Sequence, residues 1–383
     1  MTLICIVAGE ESGDALGARL ITALRRMRPD AEFIGVGGIR MQALGFQSLF
    51  PMRELAVMGL LEVLPKVFQL RRRLRETADT IVARRPDVVV TIDSPGFTLR
   101  LLKLIKGAGL RRVHYVAPQV WAWREGRVKH FPGLWDRLLC LLPFEPAFFR
   151  RHGLEAAFVG HPVIESGADA GDAARFRTKY GVAEGARLLI VMPGSRRSEV
   201  GRLLPVFGAT LDLLLQRFPD LVPVVPVADA VAESVRAGAA QWRVRPIVVT
   251  DSADKFDAFA AAAGALAKSG TSTLELAMAG VPMVVSYRVN PVTAWVARRL
   301  IKLKYVCIVN LLADDAVVPE LIQQDATPAR LAAELGRLLA DAAEAARQVS
   351  ASGAVIAALC ASDGLPSDAA AREVLSLLPS AAG

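Results

Sequence analysis

The stretch Lys268-Ser-Gly-Thr-Ser-Thr-Leu-Glu-Leu-Ala-Met-Ala-Gly-Val-Pro282 decides the fold. An apolar run over 261–267 ends just before it. A glycine among hydroxyl residues comes next, then good helix formers, then Gly280 and Pro282. That order predicts strand, tight turn, helix and stop. Such a turn aims backbone N–H groups outward at a helix N-terminus, where the helix dipole favours an anion, phosphate above all. Ser269, Gly270, Thr271, Ser272 and Thr273 are the candidate contacts. Glu275, one and a half turns into the helix, can grip two hydroxyls at once, as on a ribose. The competing reading is an ordinary helix with Thr271 or Ser272 as N-cap.

The same order recurs upstream. Residues 187–192 form an apolar run, and Pro193-Gly-Ser-Arg-Arg-Ser-Glu-Val200 opens a helix after it. Gly194 and Ser195 offer N–H donors, and Arg196 adds a guanidinium suited to phosphate. Runs at 221–227, 245–250, 261–267 and 281–286 are further strands. Two glycine and hydroxyl turns, each at a strand's carboxyl end in one α/β domain, can converge on one diphosphate. Asn310, with Glu320 and Gln323 nearby, is a candidate for facing the donor sugar or an acceptor phosphate. From Thr327 the pattern is almost wholly helical.

The first half has the same grammar. Residues 3–8 are an apolar run, Gly9-Glu-Glu-Ser-Gly-Asp14 a turn, and 15–27 a helical pattern. The turn is not GxGxxG, so a dinucleotide fingerprint is absent. Ser12 or Asp14 caps that helix, or the loop faces a ligand. Further strands fall at 32–36, 87–92, 113–117, 136–142 and 156–159. Asp93 follows the β-branched run 87–92 and is well placed as a general base, the alternative being a turn former before Pro95. Trp121, Trp123 and Arg124 suggest a sugar- or lipid-facing wall, with buried packing as the rival. Residues 55–68 are unusually apolar, and Arg71, Arg72, Arg73 and Arg75 follow at once. Val57, Met58, Leu60, Leu61, Val63, Leu64, Arg71 and Arg72 are candidate membrane contacts, the alternative being a buried helix with a basic end.

Composition sets the limits. At 383 residues the chain is too long for one typical core, so two domains are expected. We place them at 1–165 and 174–345, joined by a Gly/Ala/Asp linker at 166–173, with 346–383 as C-terminal helices. Those helices pack back on the first domain or on a second subunit, which keeps a homodimer open. No run of eighteen apolar residues lacks charge or proline, and no leader pattern is seen, so a cytosolic protein is expected. Four cysteines, Cys5, Cys140, Cys307 and Cys360, lack metal-ligand spacing and read as buried thiols. The net charge of +8 fits phosphate-bearing ligands, an anionic membrane or nucleic acid. The basic residues are scattered rather than striped, so no nucleic-acid partner is expected.

The motifs together resemble one family. They are Gly-Glu-Glu-Ser-Gly-Asp (9–14), Leu-Ala-Val-Met-Gly (55–59) with Glu62-Val63, Ile-Asp-Ser-Pro (92–95) and His-Tyr-Val-Ala-Pro-Gln-Val-Trp-Ala-Trp-Arg (114–124). Then come Leu-Pro-Phe-Glu (142–145), Gly-His-Pro (160–162), Pro-Gly-Ser-Arg (193–196), Ser-Gly-Thr-Ser-Thr-Leu-Glu (269–275), Pro-Met-Val-Val (282–285) and Asn-Leu-Leu-Ala (310–313). Spanning nearly the whole chain in the family's order, they resemble the lipid-A-disaccharide synthases, glycosyltransferases of the GT-B fold. The resemblance implies two Rossmann-like parallel-sheet domains facing across a cleft, with C-terminal helices. It implies transfer of 2,3-diacylglucosamine from its UDP conjugate to 2,3-diacylglucosamine 1-phosphate (lipid X). The products would be the β-1,6-linked lipid A disaccharide 1-phosphate and UDP. It also implies a peripheral protein on the cytoplasmic face of the inner membrane, with no metal and no cofactor. One position departs: the acidic residue that the family often carries two places after the proline of Ile-Asp-x-Pro is Phe97 here, which leaves Asp93 alone.

On this reading the reaction is an inverting displacement. Asp93 is the candidate base for the acceptor 6-hydroxyl, and Glu10 is the second choice. The 270 turn and Arg196 receive the charge of the departing diphosphate. The rival on the same scaffold is another UDP-GlcNAc enzyme, a non-lipid N-acetylglucosaminyltransferase or a UDP-sugar 2-epimerase.

Overall fold

In a computed structural model of the chain, residues 2–55, 63–290, 294–295, 303–362 and 364–378 are described, with side chains from 68 onward in the second of these segments. Val57, Met58, Leu60 and Leu61 lie outside the described residues. Val63 and Leu64 are described only as backbone, in the helix Val63–Arg84.

Two compact units divide the chain. One comprises Met1–Pro162 and Leu359–Gly383, the other Val163–Ala358. The expected pair of parallel-sheet α/β domains is present. The first unit holds seven strands in the order β3-β2-β1-β4-β5-β6-β7. They are β1 Thr2–Ala8, β2 Ala31–Val36, β3 Gln47–Ser48, β4 Val88–Ile92, β5 Arg111–Tyr115, β6 Arg137–Cys140 and β7 Ala156–Phe158. The second unit holds six, in the order β10-β9-β8-β11-β12-β13. These are β8 Arg187–Met192, β9 Leu221–Pro226, β10 Ile247–Val249, β11 Ala262–Lys268, β12 Met283–Tyr287 and β13 Glu320–Ile322. Every pairing is parallel.

Parallel strands are covered on both faces, so they need continuous apolar sequence rather than alternation. β4 meets that demand: Val88, Val89, Val90 and Ile92 are wholly buried. Each such side chain contributes about 1.5–3 kcal/mol of transfer free energy. β3 and β13 carry no comparable run, which is why neither was legible as a strand. The order of each sheet reverses at one place, between β1 and β4 in the first unit and between β8 and β11 in the second. In open α/β sheets these reversals open a crevice at the strands' carboxyl ends, and ligands bind there.

The last described helix, Pro366–Leu375, packs on the helix Glu11–Met27 of the first unit. Arg26 pairs with Asp368, and Arg137 with Glu373 at 3.1 Å. Three cysteines are buried, but Cys360, just past the end of the helix Ala342–Ala358, is exposed, contrary to the expectation of a core thiol. Its apolar neighbours over 355–358 end that helix, and Cys360 itself falls in the connection after it. No helix among the described residues is long and apolar enough to cross a membrane.

Candidate active site

In the second unit the two turns singled out in the sequence leave adjacent strands at the point of reversal. β8 and β11 pair with Ala267 beside Met192, so the segments 193–196 and 269–272 emerge side by side. Gly194 has φ +116, a left-handed conformation that favours glycine, and a Cβ there would meet Glu199 Oε2 at 2.5 Å. Glu199 is buried. Its Oε2 accepts from the N–H of Ser195 at 3.2 Å and of Arg196 at 3.4 Å. The N–H of Ser195, expected to face a ligand, therefore already has an anionic acceptor inside the chain. The Arg196 guanidinium lies 3.6 Å from Glu199 Oε1, with its side chain 76% exposed.

The 269–273 turn is more open. Its helix, Ser272–Met278, has Thr271 at the N-cap and no side-chain cap bond, so the ordinary-cap reading fails there. The N–H groups of Gly270, Thr271 and Ser272 find no hydrogen-bond partner among the described residues. Ser269 and Thr273 turn inward instead. The Ser269 hydroxyl donates to the Val306 carbonyl at 3.0 Å, and that of Thr273 to the Gly270 carbonyl at 2.6 Å. They shape the loop and leave three donors at its rim.

Two lysines complete the electrostatics. Lys268 Nζ lies 3.1 Å from Glu199 Oε1, with side chains 18% and 7% exposed, and so ties one turn to the other. Lys255 Nζ reaches both oxygens of Glu275 at 3.0 Å. A carboxylate has about four lone-pair sites, so Glu275 keeps capacity for hydroxyl donors while Lys255 fixes its direction. Sequence reading assigned no role to Glu199, Lys255 or Lys268. The available signals were the acidic residue three places after the N-cap position Arg196 and the lysine at a strand's carboxyl end.

Asn310 is not available to a ligand. It is buried, its Nδ2 donates to the Val318 carbonyl and to Glu320 Oε1, both at 2.7 Å, and its Oδ1 accepts from the Val318 N–H at 2.8 Å. Glu320 also accepts from the N–H groups of Val306 and Cys307. The pair clasps the 306–320 segment, so the expectation of a sugar contact at Asn310 is corrected.

In the first unit the reversal lies between β1 and β4, which pair with Ala8 beside Ile92. Gly9 and Ser94 touch there, and a Cβ at Gly9 would collide with the Ser94 hydroxyl. Asp93 and Ser94 have φ of +48 and +47, and Val116, just past β5, has φ +77. Each costs about 1–3 kcal/mol, and such strain clusters at functional sites. The Thr98 hydroxyl steadies the bend, donating to the Asp93 carbonyl at 2.6 Å. Burial raises the Asp93 carboxyl above the ordinary carboxylate range, against a hydrogen bond from the Ser94 backbone. A half-buried carboxyl so tuned can take a proton nearer neutrality.

Glu10 and Ser12 are exposed at the start of the helix Glu11–Met27. Neither Ser12 nor Asp14 caps that helix. Asp14 instead accepts from the N–H groups of Gly38, Arg40 and Met41, capping the neighbouring helix Ile39–Ala43. The two tryptophans separate. Trp123 is 42% exposed, with the Arg124 guanidinium 4.0 Å from its ring centroid, whereas Trp121 turns inward. Trp121 Nε1 donates to Glu145 Oε1 at 3.0 Å, while Oε2 accepts from the N–H groups of Leu141 and Leu142. Burial pushes the Glu145 carboxyl up to about 7. His114, wholly buried with Nδ1 2.8 Å from the Thr91 hydroxyl, is pushed down to about 4 by burial.

Arg71 and Arg72 are exposed on the helix Val63–Arg84. With Phe68, which is 72% exposed, and Arg75 they form one stripe at i, i+3, i+4 and i+7. Arg73 points the other way. Its Nε and Nη2 clasp Glu54 at 2.7 and 3.0 Å.

Comparison with known proteins adds three findings. A family model described as lipid-A-disaccharide synthetase matches residues 4–373. The lipid-A-disaccharide synthases of Granulibacter bethesdensis and Gluconobacter oxydans are 59% and 58% identical, over 98% of this chain and 98% and 91% of theirs. Among solved structures, a UDP-GlcNAc 2-epimerase from Neisseria meningitidis bound to UDP-GlcNAc superposes with a TM-score of 0.66, covering 98% of this chain and all of that one at 10% identity. That likeness is one of fold alone.

Proposed function

The chain belongs to the lipid-A-disaccharide synthase family, and on that premise we propose that it transfers 2,3-diacylglucosamine from its UDP conjugate to 2,3-diacylglucosamine 1-phosphate. The products are the β-1,6-linked disaccharide 1-phosphate and UDP. The observation that carries the site assignment is that each sheet's order reverses beside the residues the chemistry needs.

The second unit holds the leaving group. The N–H groups of Gly270, Thr271 and Ser272 and the Arg196 guanidinium donate to the diphosphate, and Glu275 accepts from the ribose hydroxyls. The first unit supplies the base. Asp93 takes the proton of the acceptor 6-hydroxyl as that oxygen bonds to the anomeric carbon. The bond from that carbon to the diphosphate oxygen breaks, and UDP leaves with the electron pair. Donors fixed in advance where charge develops stabilise the transition state, and base assistance adds about 10²–10⁴-fold. Glu10, exposed at the neighbouring strand end, is the second candidate.

The protein works at the cytoplasmic face of the inner membrane as a peripheral protein. The stripe of Phe68, Arg71, Arg72 and Arg75 supports that reading, since an apolar ring among guanidiniums suits an anionic lipid surface. The test is incubation with UDP-2,3-diacylglucosamine and lipid X, scoring UDP and disaccharide. Asp93→Asn should fold and bind UDP normally and lose turnover by about 10²-fold or more. A near-normal rate in that variant removes Asp93 as the base.

A further inference from the structure

We propose that Glu145 is a positioning residue for the acceptor: it locks the single helical turn Val120–Trp123 so that Trp123 and Arg124 meet the phosphate-bearing sugar. This rests on the transferase reading above and names the part of the first unit that holds the acceptor.

The strand ends bring the parts together. β4, β5 and β6 lie side by side, with Ile92 beside Tyr115 and Tyr115 beside Leu139. The Asp93 N–H donates to the Tyr115 carbonyl at 2.9 Å, and the Val116 N–H to the Leu139 carbonyl at 3.0 Å. Neighbouring strands stand about 4.7–4.9 Å apart. The candidate base, the segment 117–124 and the segment 141–145 therefore leave one edge of the sheet together.

Glu145 ties the last two of these. Its carboxylate is buried and takes three N–H donors, Trp121 Nε1 on Oε1 and the Leu141 and Leu142 backbone on Oε2. No ion pair offsets its charge among the described residues. A buried carboxylate is costly, and only well-placed donors offset that cost. An apolar side chain would fill the space without it. What the carboxylate adds is a bond to each segment at once.

The short helix supplies the leverage. Successive residues of a helical turn stand about 100° apart, so Trp121 and Trp123 point to nearly opposite sides. Glu145 holds Trp121 inward, as does the Phe144 ring, at right angles to it with centroids 4.9 Å apart. Trp123 is thereby turned outward, with the Arg124 guanidinium 4.0 Å from its ring centroid. Arg124 forms no ion pair among the described residues, so its fork of donors is open to a phosphate. The ring beside it offers an apolar face to the sugar.

The test uses the full chain in neutral detergent micelles, which keep membrane charge out of the measurement. Arg124→Ala should raise the KM of lipid X about tenfold. Glu145→Gln has one acceptor oxygen, so it serves Trp121 or the backbone pair but not both. Trp121→Phe keeps an aromatic ring and removes the N–H. Each of these two should raise that KM about three- to tenfold, with kcat, the donor KM and the Kd of UDP within about twofold of the parent. The double variant should be about as weak as the poorer single, since both break the same tie. A purely structural role leaves fewer active molecules, hence a lower kcat at unchanged KM. That pattern, a lipid X KM that stays put in Trp121→Phe, or penalties that multiply in the double variant overturns the proposal. If Glu145→Gln loses its cooperative melting, Trp121→Phe and Arg124→Ala decide by the same readings. A parent chain that makes no disaccharide from UDP-2,3-diacylglucosamine and lipid X sinks the transferase reading itself, which is a different result.

Discussion

Replacing Lys268 with methionine tests the electrostatic design of the proposed diphosphate site. The side chain keeps its length and loses its charge, so Glu199 remains with a 7% exposed carboxylate and no cation at 3.1 Å. Breaking a buried pair from one side costs about 3–5 kcal/mol. Two features lower that figure here: Lys268 is partly exposed, and Glu199 keeps its bonds from Ser195 and Arg196. We expect about 2–3 kcal/mol. For a unit of this size that lowers the melting transition by about 5–10 °C. Calorimetry on the two-unit chain identifies the relevant transition as the one that UDP raises. UDP affinity should fall with it, since beside the diphosphate Glu199 then keeps only the exposed Arg196 guanidinium, 3.6 Å from its Oε1, as a counter-charge. The double variant Lys268→Met, Glu199→Gln should recover most of the stability, because no unpaired charge remains. A single variant that melts within about 1 °C of the parent refutes the buried-pair argument. A double variant as unstable as the single shows that packing, not charge, was lost.

Three further outcomes follow from the same geometry. Glu275→Ala should weaken UDP binding by about tenfold or more, read by calorimetry, through loss of the carboxylate and release of Lys255; an unchanged affinity removes the ribose assignment. Glu145 should impose a pH slope on stability. Its folded carboxyl is raised to about 7, so its contribution is complete below the unfolded value near 4.5 and declines as pH rises through 7. The swing is on the order of 3 kcal/mol. Glu145→Gln, which does not titrate, should show a flatter dependence of melting temperature between pH 5 and 8 (about three units), and identical slopes refute the assignment. Replacing Arg71 and Arg72 with glutamine should weaken sedimentation with anionic phosphatidylglycerol vesicles by roughly 1 kcal/mol per residue, with no change for zwitterionic vesicles.

The two-domain parallel α/β fold was legible because parallel strands write themselves as short apolar runs ended by glycine or hydroxyl turns. The run 187–192 and the run before Lys268 are of this kind, and both are strands. β3 and β13, with two and three residues, were not legible, since pairing with a longer neighbour holds them rather than their own sequence. Asp93 could be picked out because its position after a β-branched run needs no partner to be recognised. Asp14 could not be read correctly, because its three acceptor bonds join positions 24 to 27 residues away. Asn310 was misread for a related reason: its amide is consumed by Val318 and Glu320, which only the folded loop brings to it.

By itself, then, the sequence determined the strand and turn order and the family, and marked out the donors and carboxylates proposed for the chemistry, since each depends on neighbours within a few residues. Tertiary structure decided which of those groups remain available. It gave the Ser195 N–H to Glu199, left the 270–272 donors open, bound Glu275 to Lys255 and set Lys268 between two turns. Hydrogen bonds and ion pairs act over about 3 Å in space, whatever the distance along the chain. Availability of a polar group is therefore a property of the packed fold, and no local pattern encodes it.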